Sequence, residues 1–321
     1  MATNTDVLNW AGLLLSGGRY EVKAKLGEGG MGFVYRARHR KLDTDVVIKV
    51  PRPALLQDPE FAARFTREIR ALVKLEHPHV VKIIDVDDHG GVPFAVMSYL
   101  AGGSLEDRQP LGPQRQPLPT PPEELADWLG PIASALDYVH KRGFVHRDVK
   151  PANILFDGQG HVYLSDFGVA KAVAETQKGQ LDSLTGTGVV LGTPQYMAPE
   201  MALGQKYDGR VDQYALAVTV YEMLSGRVPF TGSTAAAILL KQTTEEPRPL
   251  HALCDSVPRA VSEAVHRALA KDPAKRYPNC TAMAKEILAA VAASPRQGNA
   301  LSTIKHQTSR VPVISCPQCS K

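Results

Sequence analysis

The 321-residue chain is predicted to be an α+β protein with a β-rich first part and a mostly helical second part. Residues 20–100 contain short alternating apolar runs divided by glycine turns, which is typical of strands, with one helix among them. From Asp212 onward, the apolar residues recur at helical spacing. The proline-rich stretch from Gln109 to Pro122 cannot lie inside a helix, and we expect it to be a solvated loop between the two parts.

The individual elements follow from the same patterns. Five strands are predicted in RYEVKAKL, FVYRARH, DVVIKV, VVKIIDV and VPFAVMSYL. A helix begins at Pro59, because one apolar stripe runs along it: Phe61, Phe65, Ile69, Leu72 and Leu75. Later helices are predicted in EELADWLGPIASALDYVHKRG, QYALAVTVYEMLSG, TAAAILLKQT, PRAVSEAVHRALA and TAMAKEILAAVAA. Residues 169–191 are rich in Thr, Ser and Gly and are predicted to form a mobile loop.

Composition excludes several classes of protein. The net charge is +4, from 37 basic and 33 acidic residues, which is too small to indicate nucleic-acid binding. Four cysteines in a chain of this length do not form a disulfide scaffold, so a reducing compartment is expected. No apolar run reaches the roughly 18 residues of a membrane span. The chain is therefore expected to be cytoplasmic, and a membrane anchor beyond residue 321 stays open.

A glycine motif lies between the first two predicted strands. Gly27, Gly29 and Gly32 form G-x-G-x-x-G, but strand-forming residues follow where a dinucleotide-binding fold needs a helix. One interpretation is a hairpin turn whose backbone N–H groups approach phosphate oxygens, and the other is a plain glycine hairpin.

Two charged residues come next along the chain. Lys49 closes a predicted strand, and Glu68 lies beside the apolar stripe of the predicted helix. Next to a phosphate-binding turn, a lysine can hold phosphates as a point charge, and an opposing carboxylate would keep it in place. The alternatives are an ordinary strand end and a solvated glutamate.

The densest motif is HRDVKPAN, which begins at His146. Asp148 in a loop can accept the proton of an incoming hydroxyl, and Lys150 can neutralise negative charge beside it. Asn153 can turn toward a metal ion. His146 is interpreted as a packed structural histidine, because Asp148 already supplies the base.

Two further motifs lie downstream. Asp166 and Phe167 belong to DFG, where the carboxylate can bind Mg²⁺ while the aromatic ring packs inward. The string GTPQYMAPE, which ends at Glu200, can serve as a docking loop for a peptide. A buried pair between Glu200 and Arg276 would stabilise the second part of the chain.

The ordered set of motifs resembles the bacterial eukaryotic-like (Hanks-type) serine/threonine protein kinases, over about residues 20–288. HRDVKPANILF, DFGVAK and GTPQYMAPE carry this resemblance, and Lys150 two residues after Asp148 is associated with Ser/Thr specificity. The resemblance implies the bilobal protein-kinase fold, in which a β-rich N-lobe with one main helix precedes a mostly helical C-lobe. It also implies transfer of the ATP γ-phosphate to Ser/Thr hydroxyls of proteins, the reaction of a non-specific serine/threonine protein kinase.

The resemblance assigns roles residue by residue. Asp148, Lys150, Lys49 and Glu68 would be catalytic, with Lys49 paired to Glu68, and Asn153 and Asp166 would bind Mg²⁺, with Mn²⁺ as a substitute. Met97 falls at the gatekeeper position and Ser98 to Leu100 at the hinge. The ATP site would be formed by a glycine turn, a lysine, a hinge and apolar walls: Leu26, Gly27, Gly29, Gly32, Val34, Val47, Lys49, Met97, Tyr99, Leu100 and Leu155.

Regulation and partners are implied in the same way. Arg147 before Asp148 implies activation by phosphorylation of the loop, and Thr185 and Thr187 are the best acceptors. Thr193 is expected to hydrogen-bond Lys150 and Asp148 near the peptide site. The expected partners are protein substrates with Ser or Thr and the chain itself through autophosphorylation. No nucleic acid is expected, and a homodimer is possible.

Three domain ranges are expected: an N-terminal extension at 1–19, a kinase domain at 20–290, and a flexible tail at 291–321. The N-lobe would cover about 20–97 and the C-lobe about 101–290. Cys316 and Cys319 form a C-x-x-C that is half of a zinc site, so either a zinc-ribbon-like segment begins there or the tail carries two free thiols.

Two other functions are compatible with parts of this pattern. A catalytically inactive scaffold would lack Lys49, Asp148, Asn153 or Asp166, and all four are present. A phosphotransferase for small molecules would lack the peptide-docking GTPxYMAPE stretch.

Overall fold

The computed structural model describes residues 9–29, 32–57, 59–167 and 193–294. Six strands form one antiparallel sheet in the order β1-β2-β3-β4-β6-β5. Their bounds are β1 Leu14–Leu15, β2 Tyr20–Gly29, β3 Gly32–His39, β4 Thr44–Pro51, β5 Ile83–His89 and β6 Val92–Ser98. The five strands predicted from the sequence are present, and β1 is an addition that the sequence pattern did not reveal.

The register of this sheet places the predicted nucleotide-binding residues side by side. Val34 on β3 lies opposite Gly27 on β2 and Lys49 on β4, and Lys49 in turn lies opposite Ala95 on β6. Val47, two residues before Lys49, lies opposite Met97. Because alternate residues of a strand share one face, the glycine turn, the lysine and the gatekeeper position meet on one surface of the sheet.

Helix α1, Pro59–Leu72, packs its apolar stripe against the sheet as predicted. Phe61, Phe65 and Ile69 are buried with Ala95 of β6, and the rings of Phe61 and Phe65 stack 5.9 Å apart. Leu72 continues the stripe into the larger core of the C-lobe. The helix therefore joins the sheet to the C-lobe.

The N-terminal segment is integrated into the sheet. Trp10 is buried and packs against Tyr35 and Phe94, with ring centroids 6.3 and 5.7 Å apart. The Ser16 hydroxyl donates to Asp87 of β5 at 2.5 Å. Since β1 and β5 stand at opposite ends of the strand order, this hydrogen bond connects the two edges of the sheet. Residues 10–16 of the expected N-terminal extension thus pack within the N-lobe.

Helices dominate the second part, as predicted. Their bounds are α2 Leu105–Arg108, α3 Leu129–His140, α4 Pro199–Ala202, α5 Arg210–Ser225, α6 Ala235–Thr244, α7 Arg259–Ala268 and α8 Cys280–Ala293. A small hairpin of β7, Ile154–Phe156, and β8, Val162–Leu164, lies between α3 and α4. Helix α5 is apolar all round and almost wholly buried, so it forms the centre of the C-lobe core.

The proline-rich stretch is anchored at both ends, although a solvated loop was expected. Gln109 and Thr120 are buried, and Thr120 Oγ1 donates to the carbonyl of Met223 at 3.0 Å. The Gln109 amide lies 3.3 Å from the carbonyl of Glu222. These contacts occupy carbonyls at the C-terminal end of α5, and most residues between the anchors are exposed.

The structure has no candidate for a membrane span. Among the described residues, no helix combines the length and the apolar character that crossing a bilayer requires.

Candidate active site

The central group of the candidate site is the Asp148 carboxylate, which lies in the loop between α3 and β7. Asn153 Nδ2 donates to its Oδ2 at 2.9 Å and to the Asp148 carbonyl at 2.7 Å. Lys150 Nζ lies 3.2 Å from the same Oδ2. Two neighbouring side chains therefore orient one carboxylate, which is half-buried at the edge of the cleft.

Lys150 also reaches Thr193 in the GTPQYMAPE string. Its Nζ donates to Thr193 Oγ1 at 3.2 Å, so the contact predicted between these two residues is confirmed. The ammonium group therefore bridges Asp148 and Thr193. It connects the loop between α3 and β7, the catalytic loop, with the predicted peptide-docking loop.

His146 is a structural residue, as interpreted from the sequence. Its side chain is fully buried, its Nε2 lies 2.8 Å from the carbonyl of Ser165, and its ring packs 4.8 Å from that of Phe167. Burial lowers the pKa of His146, because it disfavours the charged imidazolium. A neutral histidine held in this way orders the backbone and is not positioned as a catalytic base.

Asp212, at the start of α5, holds the catalytic loop from the C-lobe core. Sequence reasoning missed this role. Its buried carboxylate accepts the backbone N–H of His146 at 2.7 Å and that of Arg147 at 2.8 Å, and it lies 2.7 Å from His140 Nε2. Burial would raise the pKa of Asp212, but the hydrogen bond and charge of His140 lower it overall. The only sequence signal for this role is a lone acid at the start of a very apolar helix.

Two residues of the site have an uncommon backbone conformation. Arg147 has φ of +65° and Asp166 has φ of +59°, both in the left-handed region that non-glycine residues rarely adopt. Such conformations persist where the surroundings determine them, and they concentrate at functional sites.

Lys49 pairs with Asp166 and not with Glu68, so the predicted Lys49–Glu68 pair is not formed in this structure. Lys49 Nζ lies 3.0 Å from Asp166 Oδ1, whereas Glu68 Oε1 lies 3.5 Å from the guanidinium of Arg67. The physical reason is the orientation of α1, which buries its apolar stripe and leaves Glu68 at the edge, 36% exposed. A hydrated carboxylate gains little from an ion pair, while Asp166 already faces Lys49 across the cleft.

The predicted walls of the ATP site surround the cleft from both lobes. Val34, Val47 and Met97 are half-buried on the sheet, and Leu155 on β7 is half-buried on the C-lobe side. Leu26 is half-exposed at the end of the glycine turn. Half-buried apolar side chains of this kind can pack against a flat ring such as adenine, which would cover them when it binds in the cleft.

The hinge follows directly after β6. The Ser98 N–H donates to the Lys82 carbonyl at 3.1 Å, and Tyr99 and Leu100 continue the chain into the C-lobe. The Tyr99 ring packs 4.9 Å from the guanidinium of Arg36, which holds this side chain against the sheet. Behind Met97, a narrow cavity of about 50 Å³ separates α1 from Phe167.

The donor set near Asp148 fits a divalent cation with oxygen ligands. Asn153 uses its amide N–H₂ group toward Asp148, which leaves its amide oxygen available as a metal ligand among the described contacts. Asp166 adds a carboxylate from the same side of the cleft, because Ser165 before it donates to the Asn153 carbonyl at 2.9 Å. An amide oxygen and a carboxylate are ligands that Mg²⁺ accepts.

The glutamate–arginine pair predicted from the sequence is confirmed. Arg276 NH1 and NH2 donate to the two carboxylate oxygens of Glu200 at 2.7 and 2.8 Å, and both side chains are buried. Arg276 also donates to the carbonyls of Ala270 and Arg210. The pair connects α4, which follows the docking loop, to the segment before α8.

A second carboxylate near the docking loop was not foreseen. Tyr196 donates its hydroxyl proton to Glu222 Oε2 at 2.5 Å. Burial raises the pKa of Glu222. The pair joins the loop to α5, and nothing in the sequence pattern distinguishes Glu222 from other helical glutamates.

Several predicted residues lie outside the part of the chain that the structure describes. These are the acceptors Thr185 and Thr187 and the cysteines Cys316 and Cys319. Gly27, Gly29 and Gly32 of the glycine turn are described, and their strand register is given above.

Comparison with known proteins agrees with this geometry. The family described as "Protein kinase domain" matches residues 20–289. The chain is 37% identical over 283 residues to a probable serine/threonine-protein kinase of Streptomyces coelicolor, and 36% identical over 299 residues to serine/threonine-protein kinase PknB of Mycobacterium tuberculosis. These alignments cover 87% and 91% of this chain but 41% and 46% of the relatives, so the chain spans less than half of their length.

Solved structures show the same fold. The PknI kinase domain of Mycobacterium tuberculosis superimposes with a TM-score of 0.66 at 30% sequence identity, over 88% of this chain and all of that domain. A second structure of that domain has the same TM-score at 31% identity, over 89% of this chain. The bilobal fold predicted from the sequence is confirmed, and the chain belongs to the protein kinase domain family, among its bacterial Hanks-type serine/threonine members.

Proposed function

We propose that this chain transfers the γ-phosphate of ATP to serine and threonine hydroxyls of proteins. The observation that carries the proposal is the arrangement of Asp148, which Asn153 and Lys150 orient in the cleft, opposite the Lys49–Asp166 pair. The family generally uses ATP and a divalent cation, and all the residues required for this chemistry are present.

Each side chain has a separate task in this mechanism. Asp148 orients the acceptor hydroxyl and takes its proton as the hydroxyl oxygen attacks phosphorus. Lys150, held between Asp148 and Thr193, offsets the negative charge that develops on the transferred group. Lys49 presents a positive charge to the phosphates of the nucleotide beneath the glycine turn.

The cation site consists of Asn153 and Asp166. When bound there, Mg²⁺ neutralises charge on the phosphate oxygens. The chain's own contribution is to orient these two ligands, through the Asn153–Asp148 hydrogen bonds and the left-handed backbone at Asp166.

Ser/Thr acceptors are favoured by the docking side of the site. The Lys150–Thr193 contact brings the GTPQYMAPE segment next to Asp148, where a peptide would present its hydroxyl. We further propose that the chain phosphorylates its own Thr185 or Thr187 and that Arg147 then pairs with the phosphate, which carries a charge of about −2.

The first experiment is incubation with labelled ATP and Mg²⁺, with mass mapping of the phosphorylated residues. Wild-type protein should label itself at Thr185 or Thr187 and label a generic protein substrate. Asp148→Asn should lower the rate by roughly 10²–10⁴-fold, because the general base is removed while the fold remains. Asp88→Asn, an exposed aspartate on β5, serves as the matched control and should keep full activity.

One result would contradict the proposal. If wild-type protein binds ATP but labels neither itself nor the substrate, the scaffold alternative is favoured. Equal labelling by wild type and Asp148→Asn would exclude Asp148 as the base.

A further inference from the structure

A polar groove of about 810 Å³ opens on the C-lobe between α3, the start of α5 and the start of α8, outside the ATP cleft. Its wall contains three different kinds of metal-ligating side chain: Asp137 and His140 on α3, and Cys280 at the start of α8. One ligand atom from each residue lies within 4.8 Å of the other two.

The helices place these donors together for clear reasons. Asp137 and His140 are three residues apart, so they project from one face of α3. The Asp137 carboxylate accepts the backbone N–H of Cys280 at 2.9 Å and that of Thr281 at 2.8 Å, which holds the start of α8 against α3. The Cys280 side chain is buried at the start of the same helix.

One nitrogen of the His140 ring contacts a buried carboxylate. His140 Nε2 lies 2.7 Å from the buried carboxylate of Asp212. Carboxylates that hold a histidine ring commonly accompany protein metal sites, because they orient the ring and increase its basicity. The same Asp212 accepts the N–H groups of His146 and Arg147, so the site is one side chain away from the catalytic loop.

We propose that a divalent cation of the zinc class binds Asp137, His140 and Cys280. The cation takes the place of the Cys280 thiol proton, which is released to solvent, and the sulfur binds as a thiolate. The carboxylate, a ring nitrogen and water from the groove complete four-coordination. Mixed nitrogen and sulfur ligands favour Zn²⁺ or Co²⁺ over Mg²⁺, so this site differs from the one at Asn153 and Asp166.

Co²⁺ is the probe for the test, since thiolate-bound Co²⁺ absorbs through sulfur-to-metal charge transfer. The titrated protein is the full chain carrying Cys316→Ser and Cys319→Ser, which removes the cysteine pair of the tail. We expect the charge-transfer band to saturate at one Co²⁺ per chain and to disappear when Zn²⁺ is added. Co²⁺ at Asn153 and Asp166 has oxygen ligands and adds nothing to this band.

Three variants in that background decide the assignment. Cys280→Ser keeps a hydroxyl that can donate to Asp137, and it should lose the band. His140→Gln keeps an amide that can donate to Asp212, and it should weaken Co²⁺ binding. Cys254→Ser removes the half-buried free thiol outside the cluster and should leave the band unchanged.

Thermal unfolding of each variant without metal establishes that it is folded. If Cys280→Ser does not fold, His140→Gln and the background protein still decide the question. Absence of the band in the background protein overturns the proposal, and so does a band that persists in Cys280→Ser. Because the readout is spectroscopic, the result is independent of whether the proposed kinase activity is found.

Discussion

At the scale of single residues, the active site is a set of short polar contacts around Asp148. Asn153 and Lys150 orient the carboxylate, while Asp212 holds the backbone before it from inside the C-lobe. The contacts of Asn153 and Lys150 are local in sequence, whereas that of Asp212 joins residues more than 60 positions apart. The site therefore depends on the core of the C-lobe as well as on its own motif.

Thr193 provides a test at this scale. Thr193→Ala removes the acceptor for Lys150, and we expect kcat/KM for a peptide substrate to fall by roughly 10- to 150-fold, since a hydrogen bond to a charged group contributes about 1.5–3 kcal/mol. Thr193→Ser keeps the hydroxyl and should retain most of the activity. Steady-state kinetics check this, and equal losses in both variants would show that the methyl group, not the hydroxyl, matters.

At the scale of elements, the two lobes are stabilised by different means. The N-terminal segment packs against the N-lobe sheet through Trp10 and connects its two edges through Ser16. The C-lobe is built around α5, and a buried ion pair connects α4 to the chain before α8. Both connections join segments that are distant in sequence.

Trp10 tests whether the N-terminal segment is part of the N-lobe. Trp10→Ala should lower the free energy of unfolding by about 3–5 kcal/mol, because a large buried ring is replaced by a cavity. Leu14→Ala changes an exposed residue of the same segment and should have an effect within about 0.5 kcal/mol. Urea unfolding followed by circular dichroism measures both. A small effect of Trp10→Ala would show that the segment is dispensable.

The Glu200–Arg276 pair tests the connection within the C-lobe. Arg276→Gln leaves a buried carboxylate without its cation, and the expected loss is about 3–5 kcal/mol in unfolding free energy. The control is Arg259→Gln, which breaks a pair with Glu263 at 2.8 Å that is well exposed. Exposed pairs of this kind contribute about 0.3–0.5 kcal/mol. Similar losses in the two variants would contradict this account.

At the scale of the whole molecule, stability should depend on pH through His146. Its pKa is lowered from the ordinary value of 6.5, so below 6.5 the unfolded chain binds a proton that the folded chain does not. The stabilising contribution is fully present above pH 6.5 and is lost as the pH falls toward the lower folded-state pKa. Asp212 acts in the same direction at more acidic pH, below its ordinary value of 3.8.

Urea unfolding between pH 7 and pH 5 measures this effect. A single group contributes a slope of up to about 1.4 kcal/mol per pH unit. His146→Phe has no titrating ring and should give a smaller slope, whatever its stability at pH 7. An unchanged slope in the variant would assign the pH dependence to other groups.

Local features of the sequence determined much of the protein. The five main strands, the apolar stripe of α1 and the helices around α5 follow from periodicity, because side-chain direction repeats with the backbone geometry of each element. The residues around Asp148 were identified because catalysis concentrates them in short strings. The Glu200–Arg276 pair was also expected, from the motifs that contain these two residues.

Only the tertiary structure decided which distant groups meet. It paired Lys49 with Asp166 and left Glu68 at the edge of α1, since the orientation of a packed helix depends on the whole interface. It buried Trp10 against the sheet and placed Cys280 beside Asp137, contacts that no periodicity encodes. Local propensity acts over a few residues, whereas a buried charge or ring takes its partner from whichever segment the core brings near.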